Sequence, residues 1–272
     1  MTLTCNIRAV FCLVFLALLS SGAQSQTKAE KKFPGMVLEE GQTMADLGRG
    51  ERVSQPNPKA LAALVSDELV SVEVADWIVL TPTSRAPNVG MVFYHGAETD
   101  PRVYGRPLRA IAEQGYLVIA VTMPRYLAVM APNKADEVFA AFPEIEDWVI
   151  SGHSMGGAMA AQYTLAHPHK ISGLLLWDAY PAGNVDLSQI DTLVAQIYRT
   201  DLEGNSPDNF RDADHLLPPN ALRIPIAGAE HTYFGDYILA SHRPTPNASI
   251  TVDEQQALIV KGSVKFLGIV GQ

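Results

Sequence analysis

Short apolar runs alternate with segments of helical spacing along most of this chain, and this alternation constrains the fold more than any other feature. Strands that alternate with helices form a mostly parallel sheet covered by helices on both faces. The sequence therefore predicts an α/β fold. Strands are expected over residues 70–74, 77–80, 88–94, 116–123, 148–150, 171–177, 192–198 and 222–227, and helices over 106–114, 134–142, 158–166, 208–217 and 251–267.

The first 25 residues have the pattern of a signal peptide. Arg8 is the only charge before Lys28, and an eleven-residue apolar run from Ala9 to Leu19 follows it. A bilayer-spanning helix needs about 20 apolar residues, so this run is too short to be one. We predict cleavage after Ser25 and a secreted or periplasmic protein, with an uncleaved anchor as the alternative.

The remaining chain is expected to hold one domain. Residues 26–58 are polar, with glycine and proline and no regular period, and are interpreted as an extended lead-in; residues 59–272 form the domain. The formal charge of −9 argues against a nucleic-acid partner, which would need a basic face. Both cysteines, Cys5 and Cys12, lie in the leader, which excludes a disulfide framework. After leader cleavage we expect no stable membrane insertion.

A nucleophile motif occurs between a predicted strand and an alanine-rich helix. Residues 152–156, Gly-His-Ser-Met-Gly, match G-x-S-x-G. An abrupt turn from strand to helix strains its central residue, so the positions two residues away must lack bulk. The serine hydroxyl then lies beside a helix N-terminus, which favours negative charge. The motif predicts Ser154 as a nucleophile, against the alternative of a tight structural turn.

A serine nucleophile needs a base, and the base needs an orienting acid. His231 follows the last predicted strand, at the edge of the sheet where Ser154 is expected, and is the predicted base. His242, in a polar loop further along, is the alternative.

Three carboxylates between Ser154 and His231 could supply the acid. Asp201 follows the strand at 192–198, immediately before the last helix and strand, and is the predicted acid. Asp178 ends the preceding strand and is the first alternative. Glu203, two residues beyond Asp201, is the second.

An oxyanion hole needs two backbone amides aimed at one point. We predict the amides of Met155, which follows the nucleophile, and of Ala97, in the loop after the strand at 88–94. Gly96 would allow close approach in that loop, and the His95 side chain is an alternative donor. Three aromatic residues near strand ends could line an acyl pocket or belong to the core: Tyr180, Tyr233 and Phe234.

Three segments carry a family resemblance: residues 93–101 (FYHGAETDP), 152–157 (GHSMGG) and 228–237 (GAEHTYFGDY). With them the chain resembles the α/β-hydrolase superfamily from about Pro58 to Val270. It looks most like the compact, lidless subgroup related to dienelactone hydrolases. Only about a dozen residues separate Ala179 from Thr192, too few for a large helical lid.

The resemblance implies cleavage of a small-molecule carboxylic ester, or a related acyl bond, through an acyl-serine intermediate. It assigns Ser154 and His231 directly and implies no metal or organic cofactor. Relatives often carry Asp-Gly after the seventh strand, whereas this chain has Asp-Leu-Glu-Gly at 201–204, so the acid transfers least directly. Acyl transfer, or lipid or lactone cleavage, would use the same residues, and a non-catalytic binding protein on this scaffold is a further alternative.

Overall fold

Eight strands form a single sheet in the computed structural model, which describes residues 53–238 and 249–272. The order across the sheet is β1-β2-β4-β3-β5-β6-β7-β8. The strands are β1 (Val70–Val74), β2 (Trp77–Pro82), β3 (Val89–Tyr94), β4 (Leu117–Val121), β5 (Asp147–His153), β6 (Gly173–Trp177), β7 (Leu193–Thr200) and β8 (Leu222–Ala227). The predicted leader and the lead-in up to residue 52 lie outside the described residues.

The sheet is antiparallel only at one edge. The strand pairs β1–β2 and β2–β4 are antiparallel, and every later pair is parallel. Strands β3, β4 and β6 are buried at every position, because helices cover both faces, and this explains their continuous apolar sequences. The parallel register brings the carboxyl ends of β3, β5, β6, β7 and β8 to one edge, where ligand sites of such sheets form.

Helices pack on both faces of the sheet, and a core lies between each layer and the sheet. The described helices are α1 (Pro58–Ala62), α2 (Gly105–Ala112), α3 (Ala135–Ala141), α4 (Met155–Ala166), α5 (Asp208–Ala213) and α6 (Val252–Val270). α2 and α6 cover one face, with Phe93, Trp177 and Phe266 in the core beneath them. α4 covers the other face over a core that includes Trp148 and Ile150.

Helix ends differ from the predictions by three or more residues in three places, one of which is the end of α6, at Val270 rather than residue 267. α4 begins at Met155, three residues earlier than expected, because the chain turns into the helix directly after Ser154. The helix predicted over 208–217 is α-helical only to Ala213, and a 3-10 turn, Asp214–Leu216, completes it. A capping box begins α6, with the Thr251 hydroxyl accepting from the Glu254 amide at 3.2 Å.

The connection after β6 contains neither a helix nor a strand, so no large lid is inserted there. The last residues of the lead-in pack against the domain: Ser54 pairs with Thr99, and Pro56 pairs with Tyr237. Within 53–238 and 249–272, no helix combines the length and the apolar character needed to cross a bilayer.

Candidate active site

Ser154 occupies a sharp turn between β5 and α4. Its backbone has φ 54° and ψ −124°, a conformation that non-glycine residues rarely adopt. The turn closes because two neighbours lack side chains. A Cβ on Gly152 would lie 2.5 Å from the carbonyl carbon of Gly156, and a Cβ on Gly156 would lie 2.1 Å from the Tyr94 carbonyl oxygen. The glycine spacing of the motif is thus a requirement of close packing.

Asp178 stands in a similar position on the neighbouring strand. It directly follows β6, has φ 41°, and its amide donates to the Ile197 carbonyl at 2.7 Å. Aspartate is among the residues that tolerate this left-handed region. The Asp178 side chain is fully buried, so its carboxylate requires partners.

His231 is one of those partners. Its Nδ1 lies 2.5 Å from Asp178 Oδ2, and the residue begins a 3-10 turn, His231–Phe234, in the loop after β8. The ring is partly exposed, with 39% of its side chain accessible. When Nδ1 carries the proton and donates it to Asp178, Nε2 is left to accept a proton. The structure therefore supplies His231 with an orienting carboxylate.

The prediction that Asp201 orients His231 is wrong in this structure, and the first alternative, Asp178, takes the position. Asp201 is exposed and binds its own turn: its Oδ1 accepts from the Asn205 amide at 2.7 Å and its Oδ2 from the Asn205 side chain at 2.9 Å. These bonds lower the pKa of Asp201. Glu203 is also exposed in this turn.

Arg199 is the third member of the charged group, and sequence reasoning missed it. Its amide donates to Asp178 Oδ1 at 3.1 Å, and its guanidinium forms an ion pair with Asp178 Oδ2. The same guanidinium nitrogen, Nη1, lies 3.1 Å from His231 Nδ1. The guanidinium also lies over the Phe210 ring, 5.6 Å from its centroid. The only sequence signal was a charged residue at the end of β7.

Three potential ligands, His153, Asp178 and His231, place nitrogen or oxygen atoms within 4.8 Å of one another. A cation there would have to displace the Arg199 guanidinium, which already contacts Asp178 and His231. In addition, the rings of His153 and His231 lie against each other, with centroids 4.4 Å apart, rather than converging on one point. The arrangement therefore suits proton transfer better than metal coordination.

A buried tyrosine connects His153, the residue before Ser154, to the loop after β3. The Tyr104 hydroxyl accepts from the Gly96 amide at 3.1 Å and from the Tyr237 hydroxyl at 3.3 Å. Its own proton is therefore donated to His153 Nδ1, 2.9 Å away. Burial raises the pKa of Tyr104 to about 12 and lowers the pKa of His153 well below its usual value. Every member of this network is neutral.

The loops after β3 and β4 together hold the His95 ring by both of its nitrogens. Nε2 accepts from the Met123 amide at 3.0 Å, and Nδ1 donates to the Gly96 carbonyl at 2.7 Å. The alternative in which the His95 side chain serves the oxyanion hole is therefore wrong. Burial lowers the pKa of His95 to about 4, so the ring is neutral at pH 7.

The two predicted oxyanion donors lie on segments that approach each other closely, the start of α4 and the loop after β3. Met155 is the first residue of α4, so its amide has no acceptor within the helix. A Cβ on Gly156 would lie 2.4 Å from the His95 carbonyl oxygen, which shows how closely the helix start approaches the loop that carries Ala97. Ala97 itself is exposed. The assignment of these two amides stays a prediction.

A cavity of about 540 Å³ brings Ser154, Asp178 and His231 together. Of the three predicted substrate contacts, Tyr180 lines it. Phe234 is fully buried and stacks on His153 with centroids 5.2 Å apart, and Tyr233 does not line the cavity. The alternative base, His242, lies outside the described residues. The lining residues are Ser154, Met155, Ala158, Asp178, Ala179, Tyr180, Ala182, Arg199, Asn209, Phe210 and His231.

A family model described as "Alpha/beta hydrolase family" matches residues 90–257 of this chain. A curated relative, a predicted non-heme haloperoxidase of Mycobacterium phage D29, is 25% identical over 118 residues. The aligned part covers 40% of this chain and 42% of the phage protein, so the chain spans less than half of that relative's length.

Solved structures of the same fold share little sequence with this chain. A soluble variant of monoglyceride lipase from Saccharomyces cerevisiae is 10% identical, with a TM-score of 0.55 over 76% of this chain and 97% of the lipase. A predicted CIB-like hydrolase from Thermoplasma acidophilum is 16% identical, with a TM-score of 0.54 over 73% of this chain and 97% of that protein. At such identities the likeness shows the fold alone. The closer relation to dienelactone hydrolases stays a prediction.

Proposed function

This chain belongs to the α/β-hydrolase family, and we propose that it is a serine hydrolase that cleaves small carboxylic esters. One observation carries the proposal. Ser154, in a strained turn at a helix N-terminus, shares a cavity with a histidine whose Nδ1 lies 2.5 Å from a buried carboxylate. Nucleophile, base and acid are the parts of a Ser-His-Asp triad, which is defined by geometry and roles rather than by spacing.

In the first half of the reaction, the Ser154 hydroxyl oxygen attacks the ester carbonyl carbon and its proton passes to His231 Nε2. Asp178 stabilises the resulting imidazolium through Nδ1. The carbonyl oxygen becomes an oxyanion facing the amides of Met155 and Ala97. The tetrahedral intermediate then collapses: the bond to the alcohol oxygen breaks, and the alcohol leaves with the proton from His231.

In the second half, water replaces the alcohol. His231 removes a proton from the water while the water oxygen attacks the acyl carbon. The intermediate collapses, Ser154 recovers its proton from His231, and the carboxylic acid leaves. The balance is one ester and one water consumed, and one acid and one alcohol formed, with no metal or organic cofactor in any step.

The cavity favours a small substrate with an apolar group. Its volume falls within the roughly 300–1,000 Å³ typical of small-molecule sites. Tyr180 and Phe210 form a T-shaped pair in its wall, 5.0 Å between centroids, and Asn209 donates to the Tyr180 hydroxyl at 2.9 Å. The net charge of −9 disfavours anionic substrates at a distance. Neutral esters with short acyl chains are the first substrates to test. Lipids, lactones and alternative acyl acceptors would use the same triad.

The working location is also part of the proposal. Residues 1–25 would direct the protein to a secreted or periplasmic compartment and then be removed. Loss of these residues would take both cysteines with them.

Turnover of p-nitrophenyl esters of increasing acyl length tests the proposal. Replacing Ser154 with alanine should reduce kcat to the background rate, because it removes the hydroxyl that forms the acyl intermediate in this mechanism. Ser151→Ala is the matched control, since the Ser151 hydroxyl is buried and donates to the Leu175 carbonyl at 2.8 Å. Ester turnover by folded Ser154→Ala protein would overturn the proposal. So would failure of a fluorophosphonate probe to label Ser154, which would favour a binding protein.

The match to the phage protein favours haloperoxidase activity as a second candidate. Halogenation of a chromogenic acceptor with hydrogen peroxide and bromide should then proceed and should depend on Ser154. Halogenation without ester hydrolysis would replace the esterase proposal.

A further inference from the structure

Two residues, His231 and Arg199, donate hydrogen bonds to the Asp178 carboxylate. Its Oδ2 accepts from His231 Nδ1 and from the Arg199 guanidinium, while its Oδ1 accepts from the Arg199 amide. The carboxylate side chain is fully buried, whereas the Arg199 and His231 side chains are 26% and 39% exposed. A permanent positive charge thus lies 3.1 Å from the base nitrogen that faces the acid.

We propose that Arg199 is a positioning residue whose guanidinium opposes protonation of His231, so that removal of this charge makes the base lose its function at a higher pH. The inference rests on the proposed function, because it concerns the base of that reaction. Arg199 partly neutralises Asp178, whose negative charge would otherwise hold a proton on His231. It also opposes the positive charge that His231 acquires on protonation.

The surroundings of His231 contain few other charges. The titratable and charged groups that face it in the described chain are Asp178 after β6, Arg199 at the end of β7 and His153 at the end of β5, with Glu230 adjacent in its own loop. His153 is buried, and burial together with the neighbouring His231 and Arg199 charges lowers its pKa well below the usual value. Arg199 is therefore the one group in direct contact that adds positive charge across the mildly acidic range.

Two contacts hold the guanidinium in place: it pairs with Asp178 and lies over the Phe210 ring at 5.6 Å. Arg199 also lines the same cavity as Ser154. Replacing the side chain leaves the Arg199 amide, and hence its bond to Asp178 Oδ1, intact. A side-chain variant therefore removes the charge while one bond still orients the carboxylate.

The test measures the acid limb of the pH profile of kcat/KM in wild type, Arg199→Met and Arg199→Lys. Protonated His231 cannot act as the base, so kcat/KM falls at low pH as His231 takes up a proton. Removing the positive charge should move this limb about one pH unit higher. This is the lower end of the effect expected of a neighbouring charge, and we choose it because the Arg199 and His231 side chains are partly exposed. Lysine keeps the charge and should restore part of the shift. Arg223→Met is the matched control: Arg223 has the same 26% exposure and pairs with Asp214, outside the cavity.

A second readout does not depend on turnover. In the Ser154→Ala background, the His231 imidazole can be titrated by NMR, with His231→Asn identifying its resonance. Arg199→Met should raise the midpoint by about one unit, whether or not the protein cleaves esters. A midpoint and an acid limb that stay within about 0.2 unit of their references in folded Arg199→Met protein would overturn the inference. Absence of Ser154-dependent turnover together with a shifted midpoint would instead reject the esterase proposal alone.

Discussion

The two sides of Ser154 are built by different physical means. On the side of the β3 loop, the groups are buried and neutral: Tyr104, His153 and His95 hold backbone amides and carbonyls through hydrogen bonds. On the side of β6 and β7, the fully buried Asp178 carboxylate and the partly exposed Arg199 guanidinium meet His231. We call these the neutral side and the charged side, and they meet where the rings of His153 and His231 contact each other.

In the proposed reaction the two sides would have different tasks. Oxyanion stabilisation requires fixed dipoles, which close packing and neutral hydrogen bonds provide. Proton transfer requires a group that changes its charge, and the His231 side chain is partly accessible to solvent. We therefore expect changes on the neutral side to affect chiefly folding, and changes on the charged side to affect chiefly turnover.

The largest expected effect on the charged side comes from Asp178→Asn. The amide leaves the shape of the site unchanged but cannot stabilise the imidazolium and favours the wrong tautomer, so kcat should fall by about 10³–10⁴-fold. The matched control is Asp201→Asn, which alters the carboxylate in the exposed turn after β7. Its kcat should stay within about twofold of wild type, a change of about 0.4 kcal/mol. Equal losses in the two variants would break the distinction between the acids.

This pair of residues also shows how far the sequence could be interpreted. The alternation of strands and helices, the glycines around Ser154 and the position of His231 follow from local rules, and the structure has them where predicted. The identity of the acid could not be predicted in this way, because it depends on which of two neighbouring strand ends faces His231. Both strands are followed by an aspartate within two residues of the strand end. Only the packed structure shows that the residue of β7 in contact with His231 is Arg199 and not an acid.

The roles of the aromatic residues also could not be predicted from their positions in the sequence. Phe234 and Tyr180 both lie near strand ends, yet one packs under His153 and the other lines the cavity. The role of Tyr104, whose hydroxyl connects two loops, was not predicted because it depends on contacts between residues 49 positions apart in the chain.

On the neutral side, the largest expected effect is on stability. Gly156→Ala would place a methyl group 2.1 Å from the Tyr94 carbonyl oxygen, which the backbone cannot accept without moving. The free energy of unfolding should fall by about 3 kcal/mol or more. Gly183→Ala is the control, because nothing lies within 4 Å of a Cβ there, and should change it by less than about 0.5 kcal/mol. Urea unfolding measures both. A stable Gly156→Ala protein would show that the turn is less tightly packed than described.

The smallest effect expected on this side is the pH dependence of stability. Burial lowers the pKa of His95 from 6.5 to about 4, so between these values the unfolded state binds a proton that the folded state does not. The contribution of His95 to the free energy of unfolding should therefore be fully present above pH 6.5. It should fall as the pH decreases, by about 2 kcal/mol between pH 7 and pH 5. His153 adds to the loss in the same direction.

Urea unfolding at several pH values between 7 and 5 measures this loss. His95→Gln should reduce the slope of stability against pH in this range, since one group no longer takes up a proton on unfolding. His169→Gln, which changes an exposed histidine, should leave the slope as in wild type. An unchanged slope in His95→Gln would mean that His95 is not held neutral by burial.

The central claim is that Ser154 is the group that accepts the acyl chain. The most direct test of this claim is to quench the reaction with p-nitrophenyl acetate rapidly. Mass spectrometry of the peptide that contains Ser154 then shows whether it is acetylated. We predict an acetyl group on Ser154 early in the reaction, approaching one per chain, and its loss once the ester is consumed. Ester consumption with no acetyl group on Ser154 at any time, or with the group on another residue, would contradict the account.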